Sequence, residues 1–70
     1  MLNGYKGTRK IEATFYTDIN KTEVRTMTHT FVTYDNTIDE CRKNLTKQIN
    51  RYKDNPLMIK VTPISEYFEH

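Results

Sequence analysis

Two side chains in this chain have the chemistry of a nucleophile and a base, Cys41 and His29. A catalytic cysteine needs a base beside it and an accessible, electropositive environment that favours the thiolate. Cys41 falls instead between Ile38 and Leu45 on an apolar stripe at helical spacing, which predicts a buried structural thiol. His29 lies in a run of β-branched residues and reads as a surface or packing residue. The carboxylates do not converge: Asp39 and Glu40 open a helix, Asp18 and Glu23 flank a turn, and Glu66 and Glu69 lie near the C-terminal end. That is not a paired general acid and base, and no glycine-rich phosphate loop is present. Two histidines and one cysteine, widely separated, lack the spacing of a zinc site. The expectation is a non-enzymatic chain with no catalytic residue, no metal and no cofactor.

The basic residues are the next candidates. Lys6, Arg9 and Lys10 cluster near the N-terminus, and Arg42, Lys43, Lys47 and Arg51 recur on the solvent side of a helical segment. One reading is a phosphate-contacting strip, which would make the chain a nucleic-acid-binding module. The plainer alternative is a solvated helix face whose last cations complement the helix dipole. Eleven basic and nine acidic residues leave a net charge of only +2, too balanced to argue for nucleic acid. The run Thr30-Phe31-Val32-Thr33-Tyr34 also lacks the glycine-aromatic signature of RNA-binding sheets.

The elements that must position these groups follow from periodicity. Seventy residues make one small domain, residues 1–70. A chain this short buries only about 60% of its unfolded surface, so added support from a partner is a natural expectation. Residues 1–8 hold both glycines and read as a loose arm. Residues 9–34 read as a β-hairpin. Ile11, Ala13, Phe15 and Ile19 alternate with Lys10, Glu12, Thr14, Tyr16 and Asp18, and a β-branched run follows. A three-residue loop, Asn20-Lys21-Thr22, would set Phe15 opposite Met27 and Ile11 opposite Phe31, whereas a two-residue turn would set Phe15 opposite Thr26. The first buries more apolar surface on one side.

Residues 37–53 form the helix. Thr37 and Glu40 make a capping box, Ile38, Cys41, Leu45, Ile49 and Tyr52 form the apolar stripe, and Asn55-Pro56 ends it. Residues 57–62 alternate again, with Leu57, Ile59 and Val61 on one face and Met58, Lys60 and Thr62 on the other. Pro63 puts this strand at an edge or ends it, and 63–70 is left as an apolar tail. The fold class is α+β: a three-stranded antiparallel sheet with one helix on one face, in the order β-β-α-β. Placing the last strand beside the first gives the spatial order 2-1-3; pairing it with the second would call for a right-handed crossover.

One helix covers one face. The bare face is expected to carry Tyr16, Val24, Val32, Tyr34 and Met58 among threonines, with Ile64, Tyr67 and Phe68 nearby. Antiparallel sheets tolerate one wet face, but aromatic groups gathered there suit a partner. Tyr16, Tyr34, Met58, Tyr67 and Phe68 are therefore the candidate protein-binding residues. A homodimer, with sheets pairing face to face or edge to edge, is the structural alternative. One unpaired thiol, no apolar leader and no run approaching the roughly 20 apolar residues of a membrane span predict a cytoplasmic protein with no membrane role.

The segment from Phe31 to Cys41 closes a strand, breaks briefly and opens a capped acidic helix turn. Together with chain size and ββαβ order, it resembles small phage-encoded accessory proteins of the T-even antitoxin type. The resemblance spans most of the chain as a pattern of elements. It implies a non-enzymatic inhibitor that occludes a host protein, for instance a messenger-cleaving toxin, in host cytoplasm; it carries over no individual residue. The abundance of Thr, Asn, Lys and Ile, with Ala13 the sole alanine, fits the AT-rich genes of phages and mobile elements.

Overall fold

The structure, a computed structural model, describes residues 4–70. Period-two alternation yields β1 (Tyr5–Tyr16) and β2 (Val24–Asp35), the 3.6-residue stripe yields α1 (Ile38–Lys53), and β3 (Met58–Glu69) closes the chain. All strands pair antiparallel in the order β2-β1-β3, the arrangement in which the last strand lies beside the first. Two boundaries differ from the sequence reading. The described part of the N-terminal arm joins β1 from Tyr5 onward, and the tail after Pro63 is strand rather than loose chain. Pro63 is tolerated because β3 is an edge strand bonded only to β1.

The hairpin register differs from both expected turns. Phe15 stands opposite Arg25, Ala13 opposite Met27 and Ile11 opposite His29, so Phe15 faces neither Met27 nor Thr26. The cause is local. The Asp18 carboxylate accepts the Thr22 N–H at 2.9 Å, the Thr22 hydroxyl at 2.6 Å and the Glu23 N–H at 3.2 Å. These bonds draw residues 17–23 into one wide loop, closed by Thr17 N–H to Glu23 O at 3.0 Å. The left-handed position in this loop is Lys21, with φ 57°. The Thr22 hydroxyl, backed by backbone N–H donors and opposed by partial burial, holds the Asp18 carboxyl below its usual 3.8.

On α1 the Thr37 hydroxyl accepts the Glu40 N–H at 3.1 Å, the threonine half of the capping box, a contact of a kind that contributes about 1 kcal/mol. Cys41, Leu45 and Ile49 are buried, and Leu45 and Ile49 join Ile11 and Phe31 in the core, with Tyr52, Val61 and Phe68 packed around them. Each such aliphatic side chain withdrawn from water contributes about 1.5–3 kcal/mol.

Lengths do not match, and this shapes the surface. Sixteen helical residues extend about 24 Å, whereas twelve strand residues extend about 40 Å. The helix covers the half of the sheet near Gly7 and Ile11. Met27 and Ile59, toward the hairpin loop, stay exposed.

Candidate functional site

The faces of the sheet can be assigned row by row, because directly paired residues share a face. Gly7, Arg9, Ile11, Ala13 and Phe15 of β1 face α1, together with Thr33, Phe31, His29, Met27 and Arg25 of β2. Lys6, Thr8, Lys10, Glu12, Thr14 and Tyr16 lie on the open face with Tyr34, Val32, Thr30, Thr28, Thr26 and Val24.

β3 does not keep a simple alternation. Ile59 and Ile64 are extra residues at two bulges, between the pairs of Thr14 and Phe15 and between those of Lys10 and Ile11. Each bulge inverts the faces beyond it. Tyr67 therefore pairs with Thr8 on the open face, while Phe68 pairs with Gly7 and packs into the core. Met58 pairs with Phe15 and shares the helix-side face.

These placements divide the five candidate partner-binding residues. Tyr34 and Tyr67 share one end of the open face, 68% and 53% exposed. They lie on opposite flanks of β1, in successive rows: Tyr34 beside Lys6, then Val32 and Tyr67 on either side of Thr8. Tyr16 lies on the same face but ten residues along β1 from Lys6, about 33 Å away, beside Val24. Met58 and Phe68 are on the other side of the sheet for the reason just given. Sequence alternation missed Thr8, which is only 4% exposed on a nominally bare face and whose hydroxyl has no hydrogen-bond partner. Between the two ends the face is polar, formed by Thr30, Lys10, Ser65, Thr28, Glu12 and Thr62, with Thr14 and Thr26 hydroxyls 3.0 Å apart.

The nucleic-acid candidates do not form one strip. Lys6 and Lys10 are on the open face, with Lys6 Nζ 3.9 Å from Glu69. Arg9 is on the helix side, bonded through Nε to Glu66 at 2.7 Å and through Nη1 to Thr46 at 3.2 Å. Arg42 reaches the same Glu66 at 3.6 Å and lies over the Phe68 ring at 5.2 Å. Lys43, Lys47 and Arg51 remain exposed on α1.

The two reactive side chains sit at opposite ends of the helix. Cys41, in the first turn, is fully buried, with Sγ 3.7 Å from the Tyr5 carbonyl. Burial, reinforced by the charge of Asp35, pushes its thiol above the usual 9.0. His29 stacks on Tyr52 of the last turn, ring centroids 5.0 Å apart, and tilts against Phe31 at 4.5 Å. Asp35 accepts Asn44 Nδ2–H at 2.7 Å and the Thr33 hydroxyl at 2.8 Å, and these donors keep its carboxyl below 3.8. Among the described residues, no helix is long and apolar enough to cross a membrane, and no three His, Cys, Asp or Glu side chains gather as a metal-binding group.

Two open concavities accompany the faces. One, about 520 Å³, lies between α1 and β3 and is lined by Ile49, Val61, Pro63 and Ile64 with Arg9 and Glu66. The other, about 760 Å³, adjoins the tyrosine end and includes Lys6, Tyr34, Asp35 and Glu69. No protein-family model, curated protein or solved structure matches this chain.

Proposed function

We propose that this chain is a small non-enzymatic binding protein, an inhibitor or adaptor that occludes the surface of a protein partner. The observation that carries the reading is the group of Val32, Tyr34 and Tyr67 around Thr8, exposed on the face α1 does not cover. Tyrosine presents a large rigid apolar area with a polar tip, the composition of interface hot spots. Lys10, exposed one row away on the central strand, adds a positive rim. The partner surface that fits has an apolar centre with a carboxylate beside it. The ββαβ resemblance to phage accessory proteins supports a host protein as target and host cytoplasm as the location.

The test compares a tagged parent chain with a Tyr34→Ala/Tyr67→Ala variant. Proteins retained by the parent are identified by mass spectrometry, and their affinities for both chains are then measured by calorimetry. The double variant is expected to bind at least about 30-fold more weakly, corresponding to about 2 kcal/mol. Undiminished affinity in a variant with unchanged far-UV circular dichroism removes this face from the function.

A further inference from the structure

The two edges of the sheet are built differently. The β3 edge carries Pro63, two bulges, Lys60, Glu66 and Glu69, devices that discourage strand addition. The β2 edge has neither proline nor bulge. It pairs with β1 for twelve residues without a register shift, contains no proline, and has Arg25 and Asp35 as its only formally charged residues.

The phase of the ladder shows which groups are free. Thr17 N–H donates to Glu23 O, so odd-numbered β2 residues exchange bonds with β1. The N–H and C=O groups of Val24, Thr26, Thr28, Thr30, Val32 and Tyr34 then point outward. The Gln48 side chain, which donates to the Val32 carbonyl at 3.4 Å, agrees with this phase.

We infer that the β2 edge pairs antiparallel with β2 of a second copy of this chain, about a two-fold axis at Thr30, making a continuous six-stranded sheet. Even residues must meet even residues for the outward groups to bond. Two registers centre the strand under that rule. One sets His29 against its own copy. The other sets Thr30 against its own copy, Thr28 against Val32, Thr26 against Tyr34, and Arg25 against Asp35 at both ends. Charge selects the second, because it opposes the strand's only cation and only anion twice over. Asp35 can accept more than the two bonds it receives from Asn44 and Thr33. The five central pairs would form about ten backbone hydrogen bonds, one of which replaces the long Gln48 contact.

The helices permit this approach. Arg25 and Asp35 are both on the helix side, so the two helices share a face of the joined sheet. Each α1 rests over β1 and β2 rather than outboard of β2. Strand spacing then places the two helix axes about 10 Å apart, an ordinary packing distance. The inference stands apart from the proposed partner face, which the pairing leaves open.

The experiment is sedimentation velocity on the full chain across micromolar concentrations, with Arg25→Glu, Thr30→Cys and Thr28→Cys variants. The parent is expected to dimerise, and Arg25→Glu to weaken the dimer about tenfold or more by setting like charges opposite at both ends. Under mild oxidation Thr30→Cys is expected to cross-link, since that pair would be about 5.5 Å apart between Cα atoms. Thr28→Cys, facing Val32 of the other copy, is expected not to. A strictly monomeric parent, a dimer indifferent to Arg25→Glu, or cross-linking at Thr28 but not Thr30 overturns the inference.

Discussion

Gly7→Ala tests how closely α1 is pressed onto the sheet. The described glycines have no positive φ, so alanine fits the Gly7 backbone without strain and only space is at issue. A methyl group there would lie 3.0 Å from Cys41 Cβ, 3.2 Å from Leu45 Cδ1 and 3.2 Å from Phe68 Cδ1. Ordinary carbon contacts are about 3.5–4.0 Å. The ends of Leu45 and Phe68 can rotate aside, but Cys41 Cβ is fixed to the helix backbone, so α1 itself must retreat. Two effects oppose each other. Removing glycine reduces the freedom of the unfolded chain and stabilises by about 0.4–1 kcal/mol. Overpacking a tight contact costs about 1–3 kcal/mol. The net expectation is a loss of about 0.5–2 kcal/mol. In urea denaturation followed by circular dichroism, that is a midpoint lowered by about 0.5–2 M at unchanged slope, for a slope of about 1 kcal/mol/M. With the helix farther out, the entropic effect alone would remain and the sign would reverse. A Gly7→Ala chain as stable as the parent, or more stable, therefore refutes this seating of α1 on β1.

Other perturbations read other parts of the molecule. Thr8→Val removes a buried hydroxyl without a partner; an orphan of this kind costs about 1–3 kcal/mol, so Tm is expected to rise by about 4–8 °C for each kcal/mol recovered, and a fall would mean the hydroxyl is paired. Cys41 is expected to resist thiol reagents in the native chain and to react on addition of urea, because burial and the Asp35 charge both disfavour its thiolate; rapid modification of the native chain contradicts that burial. Asp35 has its folded carboxyl pKa below the unfolded 3.8, so its contribution to stability is complete above that value and is lost as pH falls through the lower folded pKa. Asp35→Asn is expected to flatten the acid limb of the stability profile, and an unchanged limb would rule out the Asn44 and Thr33 bonds as its source.

The β-β-α-β order, the α+β class and the helix stripe of Cys41, Leu45 and Ile49 were legible in the residues, while the strand order 2-1-3 was one of two arrangements they left open. Apolar periodicity and capping are properties of consecutive positions, and one buried face permits few arrangements of them. The inward position of Cys41 was legible for the same reason. What depended on partners across the sheet was not. A side-chain carboxylate at Asp18 shifted the hairpin register by pulling residues 17–23 into the loop. Unpaired residues at Ile59 and Ile64 exchanged the faces of β3, sending Phe68 inward and Tyr67 outward against simple alternation. Because strand faces repeat every two residues, one inserted residue reverses every side chain beyond it. The chain's own order thus determined which segments form and which side of the helix is buried. Only the paired strands decided which tyrosines share one end of the open face, since that depends on hydrogen bonds between residues far apart in sequence.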